Sequence, residues 1–250
     1  MSTKRPAAGG GSEIFIAAER ALKWLDGFDT RHRITHVEHQ HRGIDVTAGD
    51  GSVARCRLPL PGRWRKPQDA DNRDLIELFA QEAAREYSIG VVFARRAAVA
   101  VGVFDGARLV ESKVDKSYVQ GRTAAGGWSQ QRYARRRSKQ AKQAGNKAAD
   151  IAARILVPRM NALRGIVTAG DRAAVTAIMD DDRLNGFGPS WPALVDDSDA
   201  RARDDREYHP RPWLMHIGDI GEPRFETLKN LPKRFRVVRI LLHETDDEKV

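Results

Sequence analysis

The chain has 250 residues, enough for one large domain or two small ones with a buried core. Its 43 lysines and arginines against 34 aspartates and glutamates leave a net charge of +9, which favours a polyanionic partner such as nucleic acid. No apolar run approaches the ~20 residues of a membrane span, residues 1–11 lack the apolar core of a secretory signal, and the single cysteine excludes an internal disulfide and a cysteine-ligated zinc site. We therefore expect a cytoplasmic protein.

A small α+β domain is predicted over residues 12–85, after a flexible tail over residues 1–11. Apolar residues recur at helical spacing from Ser12, a plausible N-cap, and a turn at residues 48–51 separates two extended stretches that we interpret as a hairpin. The predicted elements are a helix over residues 12–29, strands over 34–46 and 53–60, and a helix over 72–87.

The predicted second domain, residues 86–247, has an α+β fold: a mixed sheet flanked by helices. Apolar stretches predict strands, and Asp105-Gly106 predicts a tight turn. An irregular insertion is expected near residues 180–212, and either Pro158 or Gly165 is expected to kink or end the long helix. The predicted strands are 89–93, 97–104, 108–119, 166–168, 213–217 and 235–243, and the predicted helices are 130–163, 172–179 and 223–231.

The functional prediction rests on a glycine-rich loop that leads into a strongly basic helix. Gly126 and Gly127 let a backbone enter space that a Cβ would block, and a glutamine offers a donor and an acceptor without charge. Such a glutamine can orient a water toward a carbonyl while a backbone N–H stabilises the oxyanion. The helix has no acid before Asp150, and its cations face more than one side, as they would inside an RNA tunnel. These cations are Arg132, Arg135, Arg136, Arg137, Lys139, Lys142 and Lys147.

This stretch resembles the catalytic loop of eukaryotic and archaeal class I peptide-chain release factors. The resemblance lies in a pair of glycines, a glutamine and the run from Arg132 to Arg137. There, Gly-Gly-Gln precedes an Arg-aromatic-Ala-Arg segment. In that family the glutamine directly follows the glycines, whereas Trp128 and Ser129 intervene here. A glycine, two residues and a glutamine is the pattern of the Vms-like release factors, and the chain is similar to their actinobacterial branch. The resemblance covers residues 89–168.

The resemblance implies a ribosome-associated peptidyl-tRNA hydrolase that frees nascent chains from stalled large ribosomal subunits. It also implies the ribonuclease-H-like fold of the release-factor catalytic domain. By the glycine spacing Gln130 positions the water, but counting back from the helix puts Trp128 in the glutamine position, so the choice between Gln130 and Gln131 stays open. The residues expected to contact RNA are Arg122, Trp128, Gln131, Arg132, Arg135, Arg136, Arg137, Lys139 and Lys142.

The alternative is a non-catalytic rescue factor that binds tRNA or ribosomal RNA through the same helix. We rank the enzyme first because a factor that only binds has no need of glycines and a glutamine at the loop. For either function the expected partners are the large ribosomal subunit, peptidyl-tRNA and ribosomal RNA. We expect no cofactor and no membrane partner, and we expect a monomer.

Histidines and carboxylates do not predict a metal site. Along a strand, His39 and His41 share a face while His36 lies on the other, so three histidines do not converge. A ribonuclease-H-type nuclease would need carboxylates that converge from sheet positions onto two metals. Asp105 belongs to a turn and Asp115 lacks an obvious partner, so nuclease activity is disfavoured.

Overall fold

The computed structural model describes residues 3–8, 10–60, 64, 68–95, 98–116, 128–187, 213–218 and 220–245, with the backbone alone for residues 128–138, 141, 213 and 214. The chain divides into two compact units, one formed by Met1–Arg85 and Lys233–Val250, the other by Glu86–Pro232. No helix among the described residues is long and apolar enough to cross a membrane.

Eleven strands and six α-helices follow one another in the described parts of the chain. In chain order they are β1 (Thr3–Pro6), β2 (Ser12–Ala17), α1 (Ala21–His32), β3 (Ile34–Gln40), β4 (Gly43–Ala48), β5 (Val53–Arg57), α2 (Asn72–Ala84), β6 (Ser88–Arg95), β7 (Ala98–Asp105), β8 (Arg108–Lys116), α3 (Trp128–Leu156), β9 (Gly165–Gly170), α4 (Arg172–Met179), β10 (Trp213–His216), α5 (Phe225–Lys229), α6 (Pro232–Phe235) and β11 (Val237–His243).

The first unit is built on a six-stranded antiparallel sheet in the order β1-β2-β11-β5-β4-β3. Alternation along the strands other than the exposed β1 turns one row of apolar residues to the core, and Ile240 lies opposite Ile14 on one side and Cys56 on the other. These residues form one core with Phe28 of α1 and Phe79 of α2, both fully buried. The two helices therefore cover one face of this sheet.

Two sequence predictions in this unit are wrong. Residues 12–17 are a strand rather than the start of a helix, because Ile14 and Ile16 alternate into the core and the segment pairs with β11. The helix itself begins only at Ala21. The stretch 34–46 is two strands, β3 and β4, paired antiparallel about a turn at residues 41–42.

The final strand forms as predicted but lies in the other sheet. β11 pairs with β2 and β5, so it belongs to the first unit and not to the sheet expected over residues 86–247. The alternation of Val238, Ile240 and Leu242 reveals a strand with one buried face, but it carries no information about which neighbours that strand pairs with.

The second unit contains a five-stranded mixed sheet in the order β10-β9-β6-β7-β8. β10, β9 and β6 are parallel, and β6, β7 and β8 are antiparallel. Val101 and Val103 share a core with residues of α3 and α4, whereas the backbone at Gly102 approaches the Leu228 side chain of α5 from the opposite face. The predicted mixed sheet flanked by helices is confirmed.

The segment after α4 packs into the core of the second unit. Residues 182–184 form a short 3₁₀ helix, and Leu184 and Phe187 are each 1% exposed in the core that α3 and α4 share. The irregular insertion predicted from residue 180 therefore does not begin before residue 188. Residues 188–212 lie outside the described residues.

Candidate functional site

α3 enters the core of the second unit at its C-terminal end. It runs for 29 residues from Trp128 and gives way at Leu156 to a 3₁₀ turn that contains Pro158, so Pro158 and not Gly165 ends it. Among the α3 residues whose side chains the structure describes, Ala148 is the first buried one, and Ile151, Ala152, Ile155 and Leu156 follow it into the core. At 1.5 Å per residue, Trp128 lies about 30 Å along the helix from Ala148.

The positive charge of the protein is concentrated before that buried end. Residues 117–149 contain eight lysines and arginines and no acid, against a net charge of +9 for the whole chain. On a helix of 3.6 residues per turn, positions 132, 135, 136, 139, 142 and 147 fall within an arc of about 140°, which we call the basic stripe. Position 137 lies outside the stripe. The cations that the sequence analysis expected on several sides of the helix therefore occupy one stripe, with Arg137 alone outside it.

The basic stripe lies opposite the packed side of α3. Positions 148, 152 and 155 are buried, and they fall roughly half a turn from the centre of the stripe. Within the stripe, Lys139 and Lys142 are exposed and form no ion pair with any described residue. Two cations therefore remain available to a polyanion.

Unlike Lys139 and Lys142, Lys147 has an acidic partner among the described residues. Its Nζ lies 2.8 Å from Oδ1 of Asp115, near the end of β8. Asp115, for which the sequence offered no partner, is thus accounted for by an ion pair. A second pair joins Arg159, just after α3, to Glu111 of the same strand at 3.1 Å.

The only acid of α3, Asp150, is also engaged. Arg183 donates to Asp150 at 2.8 Å and to Asp181 at 2.7 Å. Hydrogen bonding from Arg183 lowers the pKa of Asp181 to about 2. These contacts tie the buried half of α3 to the segment that follows α4.

The first turn of α3 contains the two candidate glutamines. Because the helix begins at Trp128 rather than at Gln130, both Gln130 and Gln131 are helical, and their positions are about 100° apart around the axis. The backbone N–H groups of a first helical turn have no intrahelical acceptor and carry a partial positive charge. Such groups can stabilise an anion or a developing oxyanion.

The remaining predicted site residues divide into two sets. The structure places Arg132, Arg135, Arg136 and Arg137 on the next turns of α3, as backbone alone. Arg122, Gly126 and Gly127 lie outside the described residues.

Histidines do not assemble into a metal site in the described parts of the chain, where no group of three or more metal-ligating side chains occurs. His39 packs its ring against Trp64 at 4.7 Å, and β3 ends at Gln40. His41 therefore lies in the turn and shares no strand face with His39, contrary to the sequence prediction.

A histidine that sequence reasoning overlooked lies at the carboxyl end of β10. Nδ1 of His216 is 3.1 Å from Oγ1 of the buried Thr168 on the parallel neighbour β9. Burial, and then the charge of Arg172, lower the pKa of His216. No periodicity marks this residue, since its environment is created by strand pairing.

Three solved structures are similar to parts of the chain. An archaeal translation termination factor, aRF1, is 17% identical over 76% of this chain and 51% of its own, with a TM-score of 0.34. A structure described as an archaeal protein is 17% identical over 76% and 52%, with a TM-score of 0.30. Archaeoglobus fulgidus Pelota is 11% identical over 94% and 66%, with a TM-score of 0.24. The chain spans about half the length of the first two, and these scores do not establish a shared overall fold.

No curated protein matches the chain. A family model described as Actinobacteria/chloroflexi VLRF1 release factor matches residues 87–241, which is more than half of the chain. The match takes in β6 to β10, the whole of α3 and residues 117–127 before it. The chain belongs to the Actinobacteria/chloroflexi VLRF1 release factor family.

Proposed function

We propose that the protein is a peptidyl-tRNA hydrolase that acts as a monomer on ribosomes in the cytoplasm and releases nascent chains from stalled large ribosomal subunits. The observation that carries this proposal is the difference between the two ends of α3. One end is fixed in the core, while the end that bears the glutamines lies about 30 Å away along a helix lined by a basic stripe. Family membership supports the same proposal.

The stripe would bind the sugar-phosphate backbone of ribosomal RNA and tRNA. Lysines and arginines that meet phosphates displace condensed counterions, which favours binding and makes it depend on salt. Lys139 and Lys142 support this role because they are exposed and have no acidic partner among the described residues. Arg122, Trp128 and the arginines of the first turns would extend the contact toward the tRNA end.

The first turn of α3 would supply the chemistry. The amide of Gln130 accepts and donates hydrogen bonds without charge, so it orients a water toward the ester carbonyl carbon without acting as a strong base. Unpaired backbone N–H groups of that turn would stabilise the oxyanion as the water attacks. The proton that the attacking water loses passes to the departing tRNA oxygen through a hydroxyl group of the substrate or of ribosomal RNA, since a neutral amide is too weak a base to take it.

Incubation of the protein with isolated large subunits that carry peptidyl-tRNA tests this function. We expect free peptide and intact tRNA to appear together, because the bond cut is the ester. Peptide that stays on tRNA while the protein binds the subunit would instead establish the non-catalytic rescue factor. Shortened tRNA attached to the peptide would establish a nuclease, and either result would contradict the proposal.

A further inference from the structure

We propose that the ion pair between Asp115 and Lys147 positions α3, setting the direction in which this helix leaves the sheet. Asp115 is the last residue but one of β8, and Lys147 precedes Ala148, which is buried in the core of the second unit. The pair therefore joins the strand that enters the segment 117–127 to the helix that follows it. The pair thus links the two ends of residues 116–146, the stretch that contains the candidate glutamines.

A small change in the helix direction at Lys147 produces a larger displacement at the first turn of α3. The 19 residues from Lys147 back to Trp128 correspond to about 29 Å, so a tilt of about 10° at Lys147 moves the first turn by about 5 Å. A misplacement of about 1 Å in a catalytic group can lower a rate by up to roughly 100-fold. A change in the direction of α3 at Lys147 would therefore change the release rate, although neither partner touches the substrate.

Lys147 lies next to the part of α3 that is held in the core. Beyond it, Ile151 and Ile155 pack into the core, and the pairs made by Asp150 and Arg159 act on a helix that is already held. Before it, Lys139 and Lys142 form no ion pair with a described residue. Of the contacts described, this pair is the ionic restraint on α3 that lies nearest to its first turn.

The exposure of the two partners indicates that the pair orients more than it stabilises. The side chain of Lys147 is 57% exposed and that of Asp115 is 19% exposed. Ion pairs with so exposed a partner add little to folding stability, so we expect a change in Tm below about 3 °C when the pair is removed. An effect on function larger than that on stability would identify a positioning role.

The activity test relies on the proposed function and compares three variants. Asp115→Asn keeps the shape and removes the charge, and the double variant Asp115→Lys with Lys147→Asp restores an ion pair of reversed polarity. Glu111→Gln breaks the matched pair with Arg159 on the same strand and serves as the control. We expect Asp115→Asn to lower single-turnover release about 10-fold at saturating protein with an unchanged Kd for the subunit. The reversed pair should recover most of that loss, and Glu111→Gln should match the wild type.

A distance measurement on the free protein tests the inference without any release activity. Spin labels at Ala134→Cys in α3 and Arg108→Cys in β8 report the helix direction. Cys56 does not interfere, because it is fully buried and desolvation raises its pKa to about 12. We expect Asp115→Asn to broaden or shift the label–label distance by several Å, with no change for Glu111→Gln.

The two readouts keep the inference separate from the proposed function. If wild-type protein releases no peptide, the proposed function fails, and the distance distribution still decides the role of the pair. A distribution that is the same in Asp115→Asn and wild type would overturn the inference. So would a loss of subunit affinity as large as the loss of release rate, since that result would make Asp115 a binding residue.

Discussion

His216 shows how the fold changes the chemistry of one residue. It lies beside the buried Thr168, and both burial and the charge of Arg172 favour its neutral imidazole. Its pKa is therefore lower in the folded chain than in the unfolded chain. Between these two pKa values the unfolded chain binds more protons, so this residue makes the free energy of unfolding rise with pH.

This environment predicts a pH dependence of stability. The stabilisation is present above the unfolded pKa of about 6.5 and is lost as pH falls toward the lower folded pKa. We expect His216→Gln to reduce the decrease in unfolding free energy between pH 7 and pH 5.5, measured by urea unfolding. His36→Gln, at an exposed position, is the control. A decrease that His216→Gln leaves unchanged would show that the imidazole is not desolvated.

At the scale of elements, α3 was predictable because its sequence has a strong pattern. A run of alanine, lysine, glutamine and arginine predicts a helix, and the apolar stripe from Ala149 onward predicts where it packs. The ends were less predictable. The helix includes Trp128, and it stops at Pro158 because a proline lacks the N–H that the ladder requires.

The partners of Lys147 and Asp150 were not predictable from local pattern. Asp115 and Arg183 lie 32 and 33 residues away in sequence, and only the packing of β8 and of the segment after α4 brings them to the helix. Sequence alone therefore places Lys147 among the cations of the basic helix and does not identify its acidic partner. The structure separates it from Lys139 and Lys142, which have no such partner among the described residues.

The basic stripe predicts a specific salt dependence. Each phosphate contact with single-stranded nucleic acid contributes about 0.7 to the slope of log affinity against log salt, so replacing Lys139 and Lys142 with Ala should lower the magnitude of that slope by about 1.4 for the large subunit. Lys113 and Lys229 are also exposed, and their replacement is the charge-matched control. Equal slopes for the two double variants would argue that α3 does not meet RNA.

At the scale of the whole chain, the sequence predicts most strands but not their assignment to sheets. The three strands β6, β7 and β8 were predictable as neighbours because short connections join them. β11 was misassigned because about 180 residues separate it from its partner β5. Its place between β2 and β5 makes the first unit depend on a segment from the far end of the chain.

This topology predicts which strands are destabilised by a substitution in β11. Ile240 is 1% exposed in the core of the first unit, so Ile240→Ala should destabilise that unit by about 3 kcal/mol. Amide hydrogen exchange should then accelerate in β2 and β5, which pair with β11, more than in β6 and β9. Acceleration confined to β6 and β9 would place the strand in the second sheet after all.

The central claim is that the first turn of α3 holds the residue that directs water to the ester. Single-turnover release from large subunits that carry peptidyl-tRNA, measured with Gln130→Ala and Gln131→Ala at saturating protein, tests it most directly. We predict a loss of about 100-fold for Gln130→Ala with unchanged subunit affinity, and a near wild-type rate for Gln131→Ala. A loss confined to Gln131→Ala would shift the assignment by one residue. Wild-type release by both variants would contradict the account.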